Sequence, residues 1–175
     1  MSRSLIIYSS TDGHTKKICN RILSFSNKEN PPEIISLIEA TKFDLSKFDK
    51  ILIGASIRYG RHSKELYKFI ELNKDILNQI ESIFFSVNVV ARKPEKNTSV
   101  TNPYINKFLK ISKWKPKKIE VFAGKVDYPK YGLIDKYIIK LIMFITKGPT
   151  DTSKSYEFTD WGKVDDFAKK LWLNT

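Results

Sequence analysis

Short, nearly uninterrupted apolar runs alternate with amphipathic segments along the whole chain, and this alternation constrains the fold more than any other feature. Lys50–Ala55 (KILIGA) and Ile83–Val90 (IFFSVNVV) are too short for helices and have no polar face, as expected of strands covered on both sides. Ser4–Ser9 (SLIIYS), Glu33–Leu37 (EIISL) and Ile119–Ala123 (IEVFA) complete a set of five strand candidates. Helix-periodic segments lie between them. Lys16–Phe25 puts Ile18, Ile22 and Phe25 on one side, and a helix capped by Ser63 does the same with Leu66, Phe69, Ile70, Ile76 and Leu77. Asn102 and Pro103 form an N-cap and first-turn pair ahead of Tyr104, Ile105, Phe108 and Leu109; Asp160 opens a last helix carrying Trp161, Val164, Phe167, Ala168 and Leu171. Parallel neighbours need crossover connections, and right-handed crossovers place helices over both faces of the sheet. The predicted fold is therefore α/β: a doubly wound, five-stranded parallel sheet of order 2-1-3-4-5. The 175 residues fit a single domain, 1–175, and Pro31–Pro32 only separates two elements.

In this architecture ligands bind beyond the carboxyl ends of the strands, near the switch point between the first and third. The first such loop is Ser9-Ser10-Thr11-Asp12-Gly13-His14-Thr15. Its hydroxyl side chains surround a glycine that opens a helix, so it serves either as an ordinary helix cap or as a phosphate cradle of hydroxyls and backbone N–H groups. There is no Gly-x-x-x-x-Gly-Lys and no Gly-x-Gly-x-x-Gly, which argues against nucleoside triphosphates and dinucleotides and leaves a phosphomonoester. The third strand runs into Ser56-Ile57-Arg58-Tyr59-Gly60 and the fourth into Ser86-Val87-Asn88-Val89-Val90-Ala91-Arg92-Lys93. A flat aromatic ligand would be flanked there by Tyr59 and Ile57, with backbone amides and Asn88 at its polar edge, an arrangement that suits an isoalloxazine ring.

Charge narrows the classes further. Lys and Arg number 31 against 19 Asp and Glu, a net charge of +12, and residues 92–118 hold nine cations against the single acid Glu95. A basic stretch attracts nucleic acid, anionic lipid or polyanionic small molecules alike. No nucleic-acid module accompanies it, so no nucleic-acid partner is expected. Cys19 is the one cysteine, has no metal-ligand spacing and reads as packing, and no metal site is expected. Met1–Ser4 has no charged-then-apolar leader and no apolar run reaches 18 residues, which gives a cytoplasmic or peripheral location as the expectation. His14 stands at a helix start and His62 just before a cap; neither is assigned a catalytic role.

These segments together (STDGHT, IGASIRYG, FSVNVVARKPEK, DKYIIKLIM, the late TDT and YEFTDW) resemble the flavodoxin superfamily and, within it, the menaquinone-dependent protoporphyrinogen IX dehydrogenases of bacteria, over nearly the whole chain. In flavodoxins the first loop usually presents Thr where this chain has Asp12. A carboxylate beside a phosphate would be repelled, so Asp12 is expected to point outward and offer only its N–H. The resemblance implies an enzyme with one FMN: Ser10, Thr11, Asp12, Gly13, His14 and Thr15 on the phosphate; Ser56, Ile57, Arg58, Tyr59 and Gly60 against the ring; Ser86, Val87, Asn88, Val89, Val90, Ala91 and Arg92 around ring and ribityl chain. It also implies oxidation of protoporphyrinogen IX to protoporphyrin IX in haem biosynthesis, with electrons passed to menaquinone or ubiquinone and the chemistry carried by the flavin. Arg58, Arg92 and Lys93 are the candidate receptors for the substrate's propionates. The competing readings are a flavodoxin-type electron carrier and an NAD(P)H:quinone reductase. The first is disfavoured by the positive charge, the second by the missing dinucleotide fingerprint.

A plain carrier would not need Val126–Thr150 (VDYPKYGLIDKYIIKLIMFITKGPT), an insertion at about 126–150. Leu133–Lys147 reads as a helix of 15 residues, about 22 Å long and too short for a hydrocarbon core of about 30 Å. Lys136, Lys140 and Lys147 are expected on one face, with more apolar residues around the rest than a sheet face covers. An anionic membrane surface, at the cytoplasmic face of the plasma membrane where quinone resides, is the expected partner. A homo-oligomer interface is the competing use.

Overall fold

The computed structural model describes residues 3–173. In chain order the elements are β1 (Ser4–Ser9), α1 (His14–Leu23), β2 (Glu33–Ser36), α2 (Leu37–Ala40), β3 (Lys50–Ser56), α3 (Lys64–Gln79), β4 (Glu81–Asn88), α4 (Pro103–Ser112), β5 (Lys118–Ala123), β6 (Lys125–Asp127), α5 (Leu133–Ile145), β7 (Ser155–Glu157) and α6 (Trp161–Trp172). The five-stranded sheet is parallel throughout and ordered β2-β1-β3-β4-β5, as the alternation predicts. β6 and β7 form a separate antiparallel ribbon that the apolar pattern did not predict, since three-residue strands carry almost no periodic signal.

Alternate residues of each strand feed two cores. Leu5, Ile7, Ile51, Ile53, Phe84 and Val121 pack under α2, α3 and α4; Ile6, Leu52, Ile83, Phe85 and Phe122 pack under α1 and α6. Gly54 sits beside Phe85 in the register of β3 on β4, and a Cβ there would lie 2.2 Å from the Phe85 ring, so the missing side chain is what lets that ring fill the sheet face. Cys19 is fully buried in this layer, and burial pushes its thiol far above the ordinary range, consistent with packing.

Several boundaries differ from the sequence expectation. α1 starts and ends two residues before the expected Lys16–Phe25. β4 ends at Asn88 because Asn88 caps a 3-10 turn over Val89–Arg92, so Val89 and Val90 leave the strand. β2 stops at Ser36 because Ser36 and Glu39 form a reciprocal capping box that starts α2, so Leu37 is helical. α5 ends at Ile145, two residues early: the Gly148 N–H donates to the Met143 carbonyl and Lys147 turns left-handed at φ 56°, a Schellman-type stop. Lys136 and Lys140 therefore share a flank of α5, while Lys147 lies beyond the helix. A small third core of Val126, Tyr128, Tyr131 and Met143 anchors the insertion against the end of the sheet.

Candidate functional site

The carboxyl ends of β1, β3, β4 and β5 open into one cleft. Its inner part is lined by Ser10, Thr11, Asp12, His14, Thr15, Ser56, Ile57, Arg58, Val87, Asn88, Val89, Gly124 and Lys125. It continues outward between Tyr59, Gly60, Val90, Tyr104 and Tyr131 on one side and Ile139, Ile142 and Met143 of α5 on the other. The insertion thus walls the outer half of the cleft.

In the first loop Gly13 is left-handed at φ 79° and precedes α1, whose start receives no side-chain cap. The Ser10 and Thr15 hydroxyls are buried and have no partner. A buried hydroxyl without a hydrogen bond costs about 1–3 kcal/mol. A loop built only to cap its helix would spend these oxygens on the first-turn N–H groups; here donors and hydroxyls are left facing the cleft, which suits a phosphate at a helix start. The residues present therefore fit a phosphomonoester such as that of FMN. The His14 imidazole borders the same space. Its Nε2 lies 2.7 Å from the Thr159 hydroxyl, which itself donates to the Ala123 carbonyl, so Nε2 carries the proton. Burial, with Lys17 and Lys125 nearby, lowers the His14 pKa against the opposing pull of Glu157 and so favours the neutral ring.

Asp12 does not point outward as expected. Its Oδ1 lies 3.2 Å from Arg58 Nη1, and its Oδ2 accepts from the Tyr131 hydroxyl at 3.4 Å. The carboxylate stays away from the phosphate position and lies along the cleft rim, still 39% exposed to water but tied to Arg58 and Tyr131 instead of standing free. Burial pushes the Tyr131 phenol up to about 12, so it stays a donor across the physiological range.

Arg58-Tyr59-Gly60-Arg61 is a two-residue reverse turn closed by Arg58 N–H to Arg61 O and Arg61 N–H to Arg58 O. Both central residues have positive φ, 50° for Tyr59 and 74° for Gly60, the signature of a type I′ turn. The turn projects Tyr59 and Arg58 over the cleft mouth toward α5, where Tyr59 Oη donates to Asp135 Oδ1 and Arg58 Nη2 lies 2.5 Å from Asp135 Oδ2.

The third loop departs most from the sequence reading. Val87, Val89 and Val90 line the cleft, but Ser86 is fully buried with its hydroxyl 3.0 Å from His62 Nε2, on the opposite face of β4. Asn88 borders the cleft with its carbonyl already engaged: Oδ1 accepts from the Ala91 N–H at 3.0 Å and from Asn102 Nδ2 at 3.2 Å, and Nδ2 donates to Ser86 Oγ at 3.4 Å, so its main role is to shape the loop. Ala91 is buried and does not line the cleft. Arg92 also turns away, donating to the Val89 carbonyl at 2.9 Å and to the Thr146 carbonyl at 2.7 Å, with Phe158 5.7 Å beneath the guanidinium. Arg92 is thus the peg that holds the end of α5, and neither it nor Lys93 lines the cleft. Arg92→Ala is expected to lower unfolding stability by about 1.5 kcal/mol, the value of charge-assisted hydrogen bonds to backbone, as read by urea denaturation. His62 is caged by Tyr67, Phe84 and Phe108, and burial drives its pKa down to about 3, so the ring is uncharged near neutrality.

Sequence reasoning overlooked Gly124 and Lys125, although they follow the fifth strand and the strand-end rule that selected the other three loops applies to them equally. It also overlooked Tyr104, Tyr131 and Asp135. Among the described residues no cluster of metal-ligating side chains is found, and no helix is long and apolar enough to cross a membrane.

The flavodoxin domain family matches residues 5–153. The protoporphyrinogen IX dehydrogenase [quinone] of Leishmania major is 40% identical over 168 residues, covering 95% of this chain and 73% of that one. Its namesake from Escherichia coli K12 is 38% identical over 170 residues, covering 97% and 94%. The likeness is therefore not confined to bacteria. Among solved structures, a flavoprotein of Lactobacillus acidophilus in complex with FMN aligns with a TM-score of 0.48 at 17% identity, over 69% of this chain and 93% of that one.

Proposed function

We propose, from the premise that this chain belongs to the flavodoxin-domain family and to the protoporphyrinogen IX dehydrogenase [quinone] family within it, that it oxidises protoporphyrinogen IX to protoporphyrin IX using FMN and delivers the electrons to a quinone. The observation that carries the reading is the pair of buried, unpartnered hydroxyls on Ser10 and Thr15 at an uncapped helix start, at the inner end of a cleft lined by Ile57, Val87 and Val89. FMN is favoured over a dinucleotide because the chain has no dinucleotide fingerprint.

When bound, the flavin supplies hydride acceptance in two-electron rounds, three of which remove six hydrogens from the porphyrinogen. The protein binds and orients. Ser10, Thr15 and the N–H groups after Gly13 hold the phosphate, while Ile57, Val87 and Val89 give the ring apolar contact. Tyr59, Tyr104 and the Ile139–Met143 side of α5 cover the outer cleft and exclude water from the apolar body of a tetrapyrrole. The test is anaerobic turnover of protoporphyrinogen IX by flavin-loaded protein with a menaquinone analogue, followed by porphyrin fluorescence. Porphyrin formation that depends on both FMN and quinone is the expected result; full flavin loading without turnover would favour the electron-carrier reading.

The location proposed for this activity is the anionic cytoplasmic surface of the membrane that holds the quinone. Leu133, Ile134, Tyr137, Ile138, Leu141, Phe144 and Ile145 of α5 are exposed together, and the exposed cation Lys140 flanks them with Lys136 one turn before it. The basic stretch 92–118 adds to the attraction.

A further inference from the structure

The Asp135 carboxylate is held on both oxygens at the mouth of the cleft, Oδ1 by the Tyr59 hydroxyl and Oδ2 by the Arg58 guanidinium. A guanidinium and a phenol converging on one carboxylate form a carboxylate-binding site, and the type I′ turn fixes their spacing. Asp135 lies in the first turn of α5, and Ile139, Ile142 and Met143 follow on the same helix face as the apolar wall of the cleft. The site therefore places a carboxylate receptor at the end of an apolar slot.

We propose that Arg58 and Tyr59 are the receptor for a carboxylate of the substrate, and that Asp135 is an internal carboxylate occupying it until the substrate takes its place. The ligand class is a flat apolar ring bearing carboxylates. The inference deepens the dehydrogenase reading above and rests on it.

Charge supports exchange rather than addition. Arg58 faces two acids, Asp12 at 3.2 Å and Asp135 at 2.5 Å, so the cluster carries one net negative charge. A carboxylate arriving with Asp135 still in place would meet repulsion; one that replaces Asp135 leaves the count unchanged. The Arg58 and Asp135 side chains are 28% and 36% exposed, and an ion pair that open to water is worth about 0–1 kcal/mol, so the exchange costs little. Asp12, tied additionally to the Tyr131 hydroxyl, stays behind and keeps Arg58 aimed at the cleft. Arg92 cannot serve instead, because its guanidinium is already committed to the Val89 and Thr146 carbonyls.

The experiment titrates flavin-loaded protein with protoporphyrin IX, a dicarboxylic acid, and with its uncharged dimethyl ester in the same detergent. Flavin absorbance verifies that each variant is folded. Asp135→Asn is expected to bind the diacid 3- to 10-fold more tightly and the ester unchanged, and to lower KM for protoporphyrinogen by the same factor. Tyr59→Phe is expected to weaken the diacid 3- to 10-fold and again leave the ester alone. A diacid-to-ester ratio that is the same in wild type and both variants, with wild type turning over, overturns the carboxylate exchange and leaves the dehydrogenase reading standing. Wild type that is flavin-loaded, binds neither porphyrin and forms no product overturns both.

Discussion

Thr15→Val is expected to make the flavin-free protein more stable while weakening flavin binding 10- to 100-fold. The two effects share one cause. The Thr15 hydroxyl is fully buried and makes no hydrogen bond within the chain, so the folded protein has stripped it of water without compensation. Valine has nearly the same shape and no such penalty, and removing an unsatisfied buried hydroxyl stabilises by about 1 kcal/mol or more. A phosphate oxygen in the cleft would satisfy that hydroxyl with a charge-assisted bond of about 1.5–3 kcal/mol, and its loss corresponds to roughly 10- to 100-fold in Kd. Thermal unfolding of the apoprotein and flavin fluorescence quenching measure the two separately. A Thr15 placed only for packing would give a neutral or stabilising change with flavin affinity untouched, and that result would remove the phosphate assignment of this loop. The opposite signs are what mark the site: the fold tolerates a cost in its empty state that the ligand relieves.

The same loop shows what sequence can and cannot carry. The strand cores were legible because both faces of β3 and β4 are covered, which turns burial into a local run of apolar letters. Caps were legible for the same reason of locality: Ser63 accepts from the Leu66 N–H, Asn102 from Tyr104 and Asp160 from Lys163, each within three residues. The rim of the cleft was legible as a set of strand ends, but not side chain by side chain. Ser86 and Val87 lie inside β4, where successive side chains point to opposite faces of the sheet, and the sequence does not say which of the two reaches the cleft. The structure gives Val87 to the cleft and Ser86 to His62.

Long-range partners were out of reach altogether. Arg92 lies 54 residues from Thr146, and Arg58 lies 77 from Asp135. Nothing in the spacing of either pair announces contact, and a free guanidinium near a cleft reads from sequence as a ligand receptor in both cases. The structure separates them by geometry, Arg92 as an anchor of α5 and Arg58 at the cleft mouth. The β6–β7 ribbon that carries the insertion is likewise a pairing of two three-residue strands across a long excursion of chain, too short for a periodic signal and too distant for a turn signal.

Replacing Leu141, Phe144 and Ile145 together by Gln is expected to reduce binding to vesicles containing anionic lipid by 10- to 100-fold, with flavin loading unchanged. These three side chains are 59%, 73% and 70% exposed, so they contribute little to the core, and Gln keeps good helix propensity. Burying a large apolar side chain fully yields about 1.5–3 kcal/mol. Three side chains entering only the headgroup boundary at a fraction of that value would supply about 1.5–3 kcal/mol, which corresponds to the stated range of affinity. The other side of α5 is engaged by Arg92 at Thr146 and by packing of Met143 against Tyr128 and Tyr131, so the exposed side is held outward in a fixed orientation. Lys136 and Lys140 on the flank, worth about 1 kcal/mol each near an anionic surface, add a part that salt removes, whereas the apolar part persists. Flotation with anionic and neutral vesicles at low and high salt resolves the two contributions. Equal flotation of wild type and the triple variant would overturn the membrane assignment of this face, and a change from dimer to monomer on the same substitution, read by sedimentation, would give the surface to a second copy of the chain instead.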